Sequence, residues 1–216
     1  MRYNFFMNNR FISLDRSTDF QSVSRSSCGK VVASKVFEGG DSRSADYPVK
    51  LREFLADNSL SFDDIDAFVV GQGPGSFVGI RAALAFVQGL ALVKGKKVYG
   101  MASTAAMTKD GVKRAIIGDA RRSRFWVALY DGSKMVKDLA LYSKEELTDI
   151  VDSSYEIVTP DASRIKALLE EIFTGREVIS EKPNAARLAE VAIERPQDLK
   201  EEPLPIYLSP AVRPPE

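Results

Sequence analysis

The chain has 216 residues, 44 % of them hydrophobic, with 30 basic and 30 acidic side chains. It can form one large or two small globular domains, and no global positive field draws it to nucleic acid. It contains no histidine, which removes Ser-His-Asp and Cys-His triads, histidine zinc sites and an imidazole proton shuttle. Cys28 is the lone cysteine, so an internal disulfide and a thiolate metal cluster are excluded; set among Ser22, Ser24, Ser26, Ser27 and Gly29, it reads as a small residue of a strand or turn.

The first ten residues have no continuous apolar run and no small-residue cleavage site, and the most apolar stretch, 82–93, is too short to span a bilayer. No membrane partner and a cytoplasmic location are therefore expected. Residues 11–14 form a strand candidate ending at Asp15, and 22–27 with 30–37 are expected to pair around Cys28-Gly29. Tyr47, Leu51, Phe54 and Leu55 recur at helical spacing, with Pro48 tolerable only near that helix's start. Residues 65–70 are almost wholly apolar, as in a strand covered on both faces.

Next comes Gly71-Gln72-Gly73-Pro74-Gly75-Ser76-Phe77-Val78-Gly79, with four glycines in nine residues. A strand–glycine loop–helix unit gathers free N–H groups at the helix start and suits an anion. This one lacks the closing Lys-Ser/Thr of a phosphate loop and the spacing of a dinucleotide fingerprint, and Pro74 removes one donor. Two readings stand: a loop that positions the helix, with Ser76 as its cap, or a loop that holds a ligand. The helix at 80–93 is apolar around most of its circumference, so its own sheet cannot cover it all. Ala82, Ala85 and Gly89 permit close approach of a second helix, and Phe86, Leu90 and Val93 supply knobs. It is either a central helix buried in its own domain or a subunit interface. A strand at 96–100 follows, then a short helix at 104–107 with Ser103 as its expected cap.

Lys109-Asp110-Gly111 marks a boundary. Strands at 112–118, 123–130 and 134–141 form an antiparallel meander, with Asp119-Ala120-Arg121-Arg122 and Asp131-Gly132 at the turns. A strand at 155–158 precedes a helix at 162–173, capped by Asp161 and burying Ile165, Leu168, Leu169 and Ile172. Asn184 opens a helix at 185–193. The last fourteen residues hold five prolines and read as an extended, loosely packed tail. Two antiparallel ribbons, each followed by alternating helices and strands, predict two related α/β lobes.

Gly73-Pro74-Gly75-Ser76-Phe77-Val78-Gly79-Ile80-Arg81 resembles the Gly-Pro-Gly-Ser-Phe-Thr-Gly-Leu-Arg signature of the TsaB (YeaZ) family. Leu14-Asp15-Arg16-Ser17 is similar to that family's Leu-Asp-Thr-Ser opening. Asp119-Ala120-Arg121-Arg122 followed by Phe125-Trp126-Val127-Ala128-Leu129-Tyr130 resembles its Asp-Ala-Arg-Arg hairpin. Lys182-Pro183-Asn184-Ala185 and Leu204-Pro205-Ile206-Tyr207-Leu208 resemble its closing motifs, so the landmarks run in family order from residue 14 to 208.

The resemblance implies a two-lobed α/β fold of the actin/sugar-kinase/Hsp70-like ATPase (ribonuclease H-like) class. Residues 1–108 would form the N-terminal lobe, completed by a helix from 184–200; 109–183 would form the second lobe and 201–216 the tail. It implies a non-catalytic partner of a TsaD-like threonylcarbamoyltransferase, in forming N6-threonylcarbamoyladenosine at position 37 of ANN-decoding tRNAs. A TsaE-like ATPase works alongside, and tRNA is reached through the complex. TsaD's metal-binding histidines have no counterpart here, so no catalytic residue and no metal are expected. No cofactor is expected to be held tightly, with ATP and magnesium confined to the assembled complex.

The expected partner surface is Arg81, Leu84, Ala85, Phe86, Gly89, Leu90 and Val93, used for a homodimer when alone and exchanged for the heterodimer. Gly73, Pro74, Gly75, Ser76, Phe77 and Gly79 would position that helix. Asp15 and Ser17 mark the candidate phosphate vicinity, and Arg121, Arg122 and Arg124, with Phe125 and Trp126 for stacking, the candidate tRNA contact. Arg16, Arg43, Val78 and Ser209 depart from the family pattern. The alternatives are a stand-alone ATP-dependent phosphotransferase or ATPase using Asp15, and a glycoprotease-like peptidase using Ser76 or Cys28 without a histidine base.

Overall fold

A computed structural model describes residues 6–37 and 46–208. Its chain folds as two compact units, Met1–Ala106 with Pro183–Pro205, and Met107–Lys182 with the last described residues from Ile206. Arg43 and Ser209 lie outside the described residues.

In the first unit β1 (Phe11–Asp15) pairs antiparallel with β2 (Gln21–Ser27), which turns at Cys28-Gly29 into β3 (Lys30–Phe37). On the other side β1 runs parallel to β4 (Ala67–Gly71), and β4 to β5 (Lys97–Met101). The last strand among the described residues, β11 (Lys200–Glu201), closes the far edge, giving the order β11-β5-β4-β1-β2-β3.

Strand alternation divides this sheet into two unlike faces. Ile12, Leu14, Val23, Phe68 and Val70 form one face, packed with α1 (Tyr47–Asp57) and α2 (Phe77–Lys94). The buried positions of α1 are Tyr47, Leu51, Phe54 and Leu55, the set its periodicity predicts, and Pro48 sits in its first turn. The opposite face carries the buried serines Ser13, Ser22, Ser24 and Ser26 and receives the returning helix α5 (Ala185–Glu194). Two of these serines meet the helix end, while the hydroxyls of Ser13 and Ser26 are buried without a hydrogen-bond partner among the described residues. Ser22 Oγ accepts from Ala185 N–H (2.9 Å), and Ser24 Oγ donates to Ala185 C=O (2.8 Å), so buried polar strand positions are answered by the backbone of a helix end. Buried Ala185, Ala189 and Ala192 let α5 lie close, and Asn184 caps it by accepting from Ala186 N–H.

The second unit is built on the meander β6 (Lys113–Asp119), β7 (Phe125–Asp131) and β8 (Lys134–Tyr142), with β9 (Glu156–Thr159) and β10 (Val178–Ser180) in the order β10-β9-β6-β7-β8. Its core joins Ala115, Ile117, Val127, Leu129 and Ile157 to Leu147 of α3 (Leu147–Ile150) and to Ile165 and Leu169 of α4 (Ala162–Ile172). Leu168 and Ile172 are only partly buried at its margin. Arg114 ties the unit's lower edge by bonding Glu156, Glu181 and the Met107 carbonyl.

Two expected caps are employed otherwise. Asp161 precedes α4 without a side-chain cap; its carboxylate accepts instead from Asp119 N–H (2.9 Å) and pairs with Arg164. Ser103 Oγ accepts from Gly73 N–H (3.0 Å), a partner thirty residues away, because the turn at Ser103–Met107 faces the glycine loop. The elements α3, β10 and β11 span two to four residues, too few for any period to show in sequence.

Candidate functional site

The glycine loop closes onto the end of β1. Ser76 N–H donates to Ser17 C=O (2.6 Å), Ser103 N–H to Gly73 C=O (2.8 Å) and Gln72 N–H to Met101 C=O (2.8 Å). A Cβ at Gly75 would overlap the Ser17 carbonyl, and one at Gly79 the Arg16 carbonyl, so these two glycines are required by close backbone approach. Asp15 is fully buried beneath the loop, with Oδ1 accepting from Ser17 N–H (2.9 Å) and Ser17 Oγ (2.6 Å). Burial holds its carboxyl above the usual range, partly offset by the Ser103 and Ser17 hydroxyls.

Arg16 is buried too, its guanidinium 4.5 Å from the centre of the Tyr47 ring. Burial lowers its pKa and raises that of the Tyr47 phenol. At the expected phosphate vicinity Asp15 and Ser17 are both buried, and the Ser76 N–H is engaged by the Ser17 carbonyl. The same loop hydrogen bonds hold the start of the helix that follows.

What the loop positions is α2. Ser76 Oγ accepts from Gly79 N–H (3.2 Å) as its cap, and Gly95 ends it in the left-handed region (φ 62°). The helix starts at Phe77, three residues ahead of expectation. At 18 residues it is long and apolar enough, by length and composition alone, to cross a membrane. One side of it, however, is built into the sheet through Ile80, Ala83, Leu84, Val87 and Ala91.

That placement corrects part of the expected partner surface. Leu84 is 3 % exposed and packed into the core of its own unit, not on the outer side of the helix. Phe86 and Leu90 are partly buried against the same core, Phe86 edge-on to Tyr47. The expected residues on the outer side are Arg81, Ala85, Gly89 and Val93, joined by Phe77, Val78 and Leu92, which the reading of the helix as a partner surface had missed. Leu92 is 85 % and Val93 81 % exposed, and nothing stands over Gly89. Arg81 finds no carboxylate among the described residues; its guanidinium lies 4.9 Å from the Phe77 ring centre. A usable signal was present: Arg81 and Gln88, seven residues apart, mark the outward meridian of an otherwise featureless helix, and Ala85 and Leu92 share it.

The expected loose tail is pinned at its root. Gln88 Nε2 donates to Pro203 C=O (2.9 Å) and Gln72 Nε2 to Leu204 C=O (2.7 Å), while Pro203 lies against Gly100, where a Cβ would not fit. Leu204, 73 % exposed, thus stands beside the Gln88 side of α2.

In the second unit Arg121, Arg122 and Arg124 ring the exposed turn between β6 and β7. Phe125 and Trp126 are buried, Trp126 against Gly118, so the expected stacking surface is absent from this turn. Cys28 is exposed at the β2–β3 turn with φ 51°. Among the described residues no group of three or more His, Cys, Asp or Glu could hold a metal ion.

An antiparallel ribbon followed by parallel strands, in the order β3-β2-β1-β4-β5, defines a ribonuclease H-like α/β protein of the actin/sugar-kinase/Hsp70 class. A family profile described as "TsaD: tRNA N6-adenosine threonylcarbamoyltransferase" matches residues 44–185, well over half of the chain. The chain belongs to this family.

TsaB of Escherichia coli K12, named a tRNA threonylcarbamoyladenosine biosynthesis protein, is 33 % identical over 86 residues, 37 % of each chain. An uncharacterized protein of Mycobacterium tuberculosis is 38 % identical over 84 residues, 38 % of this chain and 40 % of that one. The chain thus spans less than half the length of the curated relatives it matches. YeaZ from Pseudomonas aeruginosa superposes with a TM-score of 0.74 at 20 % identity, over 93 % of this chain and all of that one, which shows the shared fold.

Proposed function

We propose that the chain is a non-catalytic partner that activates a TsaD-like threonylcarbamoyltransferase, in forming N6-threonylcarbamoyladenosine at position 37 of ANN-decoding tRNAs, with a TsaE-like ATPase in the same assembly. When alone it pairs with a second copy through the outer face of α2 and exchanges that contact for the transferase. Any ATP and magnesium belong to the assembled complex, not to the sealed end of β1.

The observation that carries this reading is the outer face of α2. Val78, Ala85, Gly89, Leu92 and Val93 form an apolar stripe on a helix whose start is fixed by a capped loop. Covering each large side chain is worth about 1.5–3 kcal/mol, and Ala85 and Gly89 admit a second helix at close range. The phosphotransferase alternative would require Asp15 to be reachable, and Asp15 is 0 % exposed.

Co-purification with the TsaD-like paralogue tests the reading. Leu92→Asp with Val93→Asp should abolish capture while leaving the fold intact, since neither side chain belongs to the core. Capture at the wild-type level by this variant would overturn it.

A further inference from the structure

We infer that the turn between β6 and β7 is a phosphate-contact element that grips an RNA backbone without reading its bases. The inference rests on the proposed role in tRNA modification, and it assigns this turn a share of the RNA contact.

Arg121, Arg122 and Ser123 are consecutive and all left-handed (φ 66°, 53° and 57°). In that region the Cβ of a non-glycine residue crowds the following carbonyl, which is unfavourable. Elsewhere the chain meets positive φ with glycine, as at Gly95, Gly111, Gly132 and Gly175, or with single residues at Cys28, Ser59 and Glu202; among the described residues three non-glycine residues in a row do so at this turn alone. Here it keeps arginines and holds the turn by other means. Asp119 accepts from Arg121 N–H (2.7 Å), Ala120 N–H bonds Arg124 C=O (3.0 Å), and Arg124 N–H bonds Arg121 C=O (3.1 Å). Asp119 is itself fixed through its own N–H to Asp161 (2.9 Å) and by Arg164 Nε (3.3 Å).

This arrangement satisfies the local acids from behind and leaves cations at the tip. Arg164 answers both Asp119 and Asp161. Arg121 reaches Asp119 only at 3.6 Å, with its side chain 69 % exposed. Arg124 rests one nitrogen on Leu141 C=O (3.2 Å), with Glu146 as its nearby acid. Arg122 makes no hydrogen bond or ion pair among the described residues. Guanidinium forks suit phosphate oxygens, and strain retained at a surface turn marks a functional demand. Phe125 and Trp126, buried in the sheet, cannot stack on bases, so the grip is independent of sequence.

The test measures RNA affinity across a salt series for the full chain, alone and with its paralogue, using an unmodified ANN-decoding tRNA and an unrelated duplex RNA. The variants are Arg122→Glu, which disturbs no bond of the turn, and the triple Arg121→Ala, Arg122→Ala, Arg124→Ala. The inference predicts about tenfold weaker binding by the triple variant, equal for both RNAs, and a shallower salt dependence by roughly one phosphate contact per lost arginine. Arg122→Glu should shift affinity in the same direction. Unchanged affinity and salt slope, no RNA binding by the wild-type protein in either form, or loss of paralogue capture at constant RNA affinity would each overturn it; the last would make the turn a seat for an acidic protein. Failed pairing through Leu92 and Val93 with this RNA effect intact would sink only the partner reading.

Discussion

The helices α2 and α4 both lie on a sheet of their own unit, and they differ in what they show to the outside. α4 buries Ile165 and Leu169 and turns Arg164, Glu170 and Glu171 outward, with Lys166 paired to Glu170 (3.7 Å). α2 buries Ile80, Leu84 and Val87 and turns Val78, Ala85, Leu92 and Val93 outward. Folding the unit explains α4 completely and only half of α2. An apolar outer face adds nothing to the isolated fold and carries a solubility cost, which is the ground for proposing it as an association surface.

The largest expected effects are on the inner faces, where the two helices should behave alike. Leu84→Ala in α2 and Leu169→Ala in α4 should each destabilise their unit by about 2–5 kcal/mol, read as a lowered urea midpoint. If Leu84→Ala instead changed only the oligomeric state, the rotation assigned to α2 would be wrong. The helix starts differ more. Asp161→Ala removes a charged acceptor from Asp119 N–H and from Arg164, and should cost about 1.5–3 kcal/mol. Ser76→Ala removes one neutral cap, and should cost about 1 kcal/mol in the same denaturation experiment.

A pH series separates the buried acid beneath the α2 loop from such caps. The folded pKa of Asp15 is raised, so its contribution is fully present below about pH 4, the ordinary range of a free aspartate, and fades as pH rises toward the folded value. Asp15→Asn cannot lose a proton. Its stability relative to wild type should therefore improve steadily from pH 4 upward in paired urea titrations. A constant difference across that range would mean that Asp15 is not held protonated by burial.

Much of this was legible in the residues. Alternation and turn signals gave the ribbon β2–β3 and the meander β6–β8, and the 3.6-residue period picked out Tyr47, Leu51, Phe54 and Leu55. The rotation of α2 is legible only through Arg81 and Gln88, because the apolar residues on every other side give no preferred inward direction; without those two polar marks Leu84 falls outside and Leu92 drops from the surface. Ser103 and Asp161 were read as local caps, since sequence proximity suggests short-range partners. Their real partners, Gly73 and Asp119, are brought close only by sheet pairing. Nothing in the sequence around Gln72 and Gln88 points to the segment after β11, and their clamp on it is a tertiary fact.

The smallest expected effect on stability accompanies the largest on association. Replacing Leu92 and Val93 by aspartate touches no core contact and should shift the unfolding midpoint by no more than about 1 kcal/mol, part of it from acids at a helix C-terminus. Glu170→Lys on the outer face of α4 should be as mild, and should leave association untouched.

Sedimentation equilibrium of the isolated chain at micromolar concentration tests the central claim, that the outer face of α2 is an association surface. The wild-type protein should sediment as a dimer of the 23.8 kDa chain, and the Leu92→Asp, Val93→Asp variant at 23.8 kDa. A wild-type protein that stays at 23.8 kDa, or a variant that still dimerises, would contradict it.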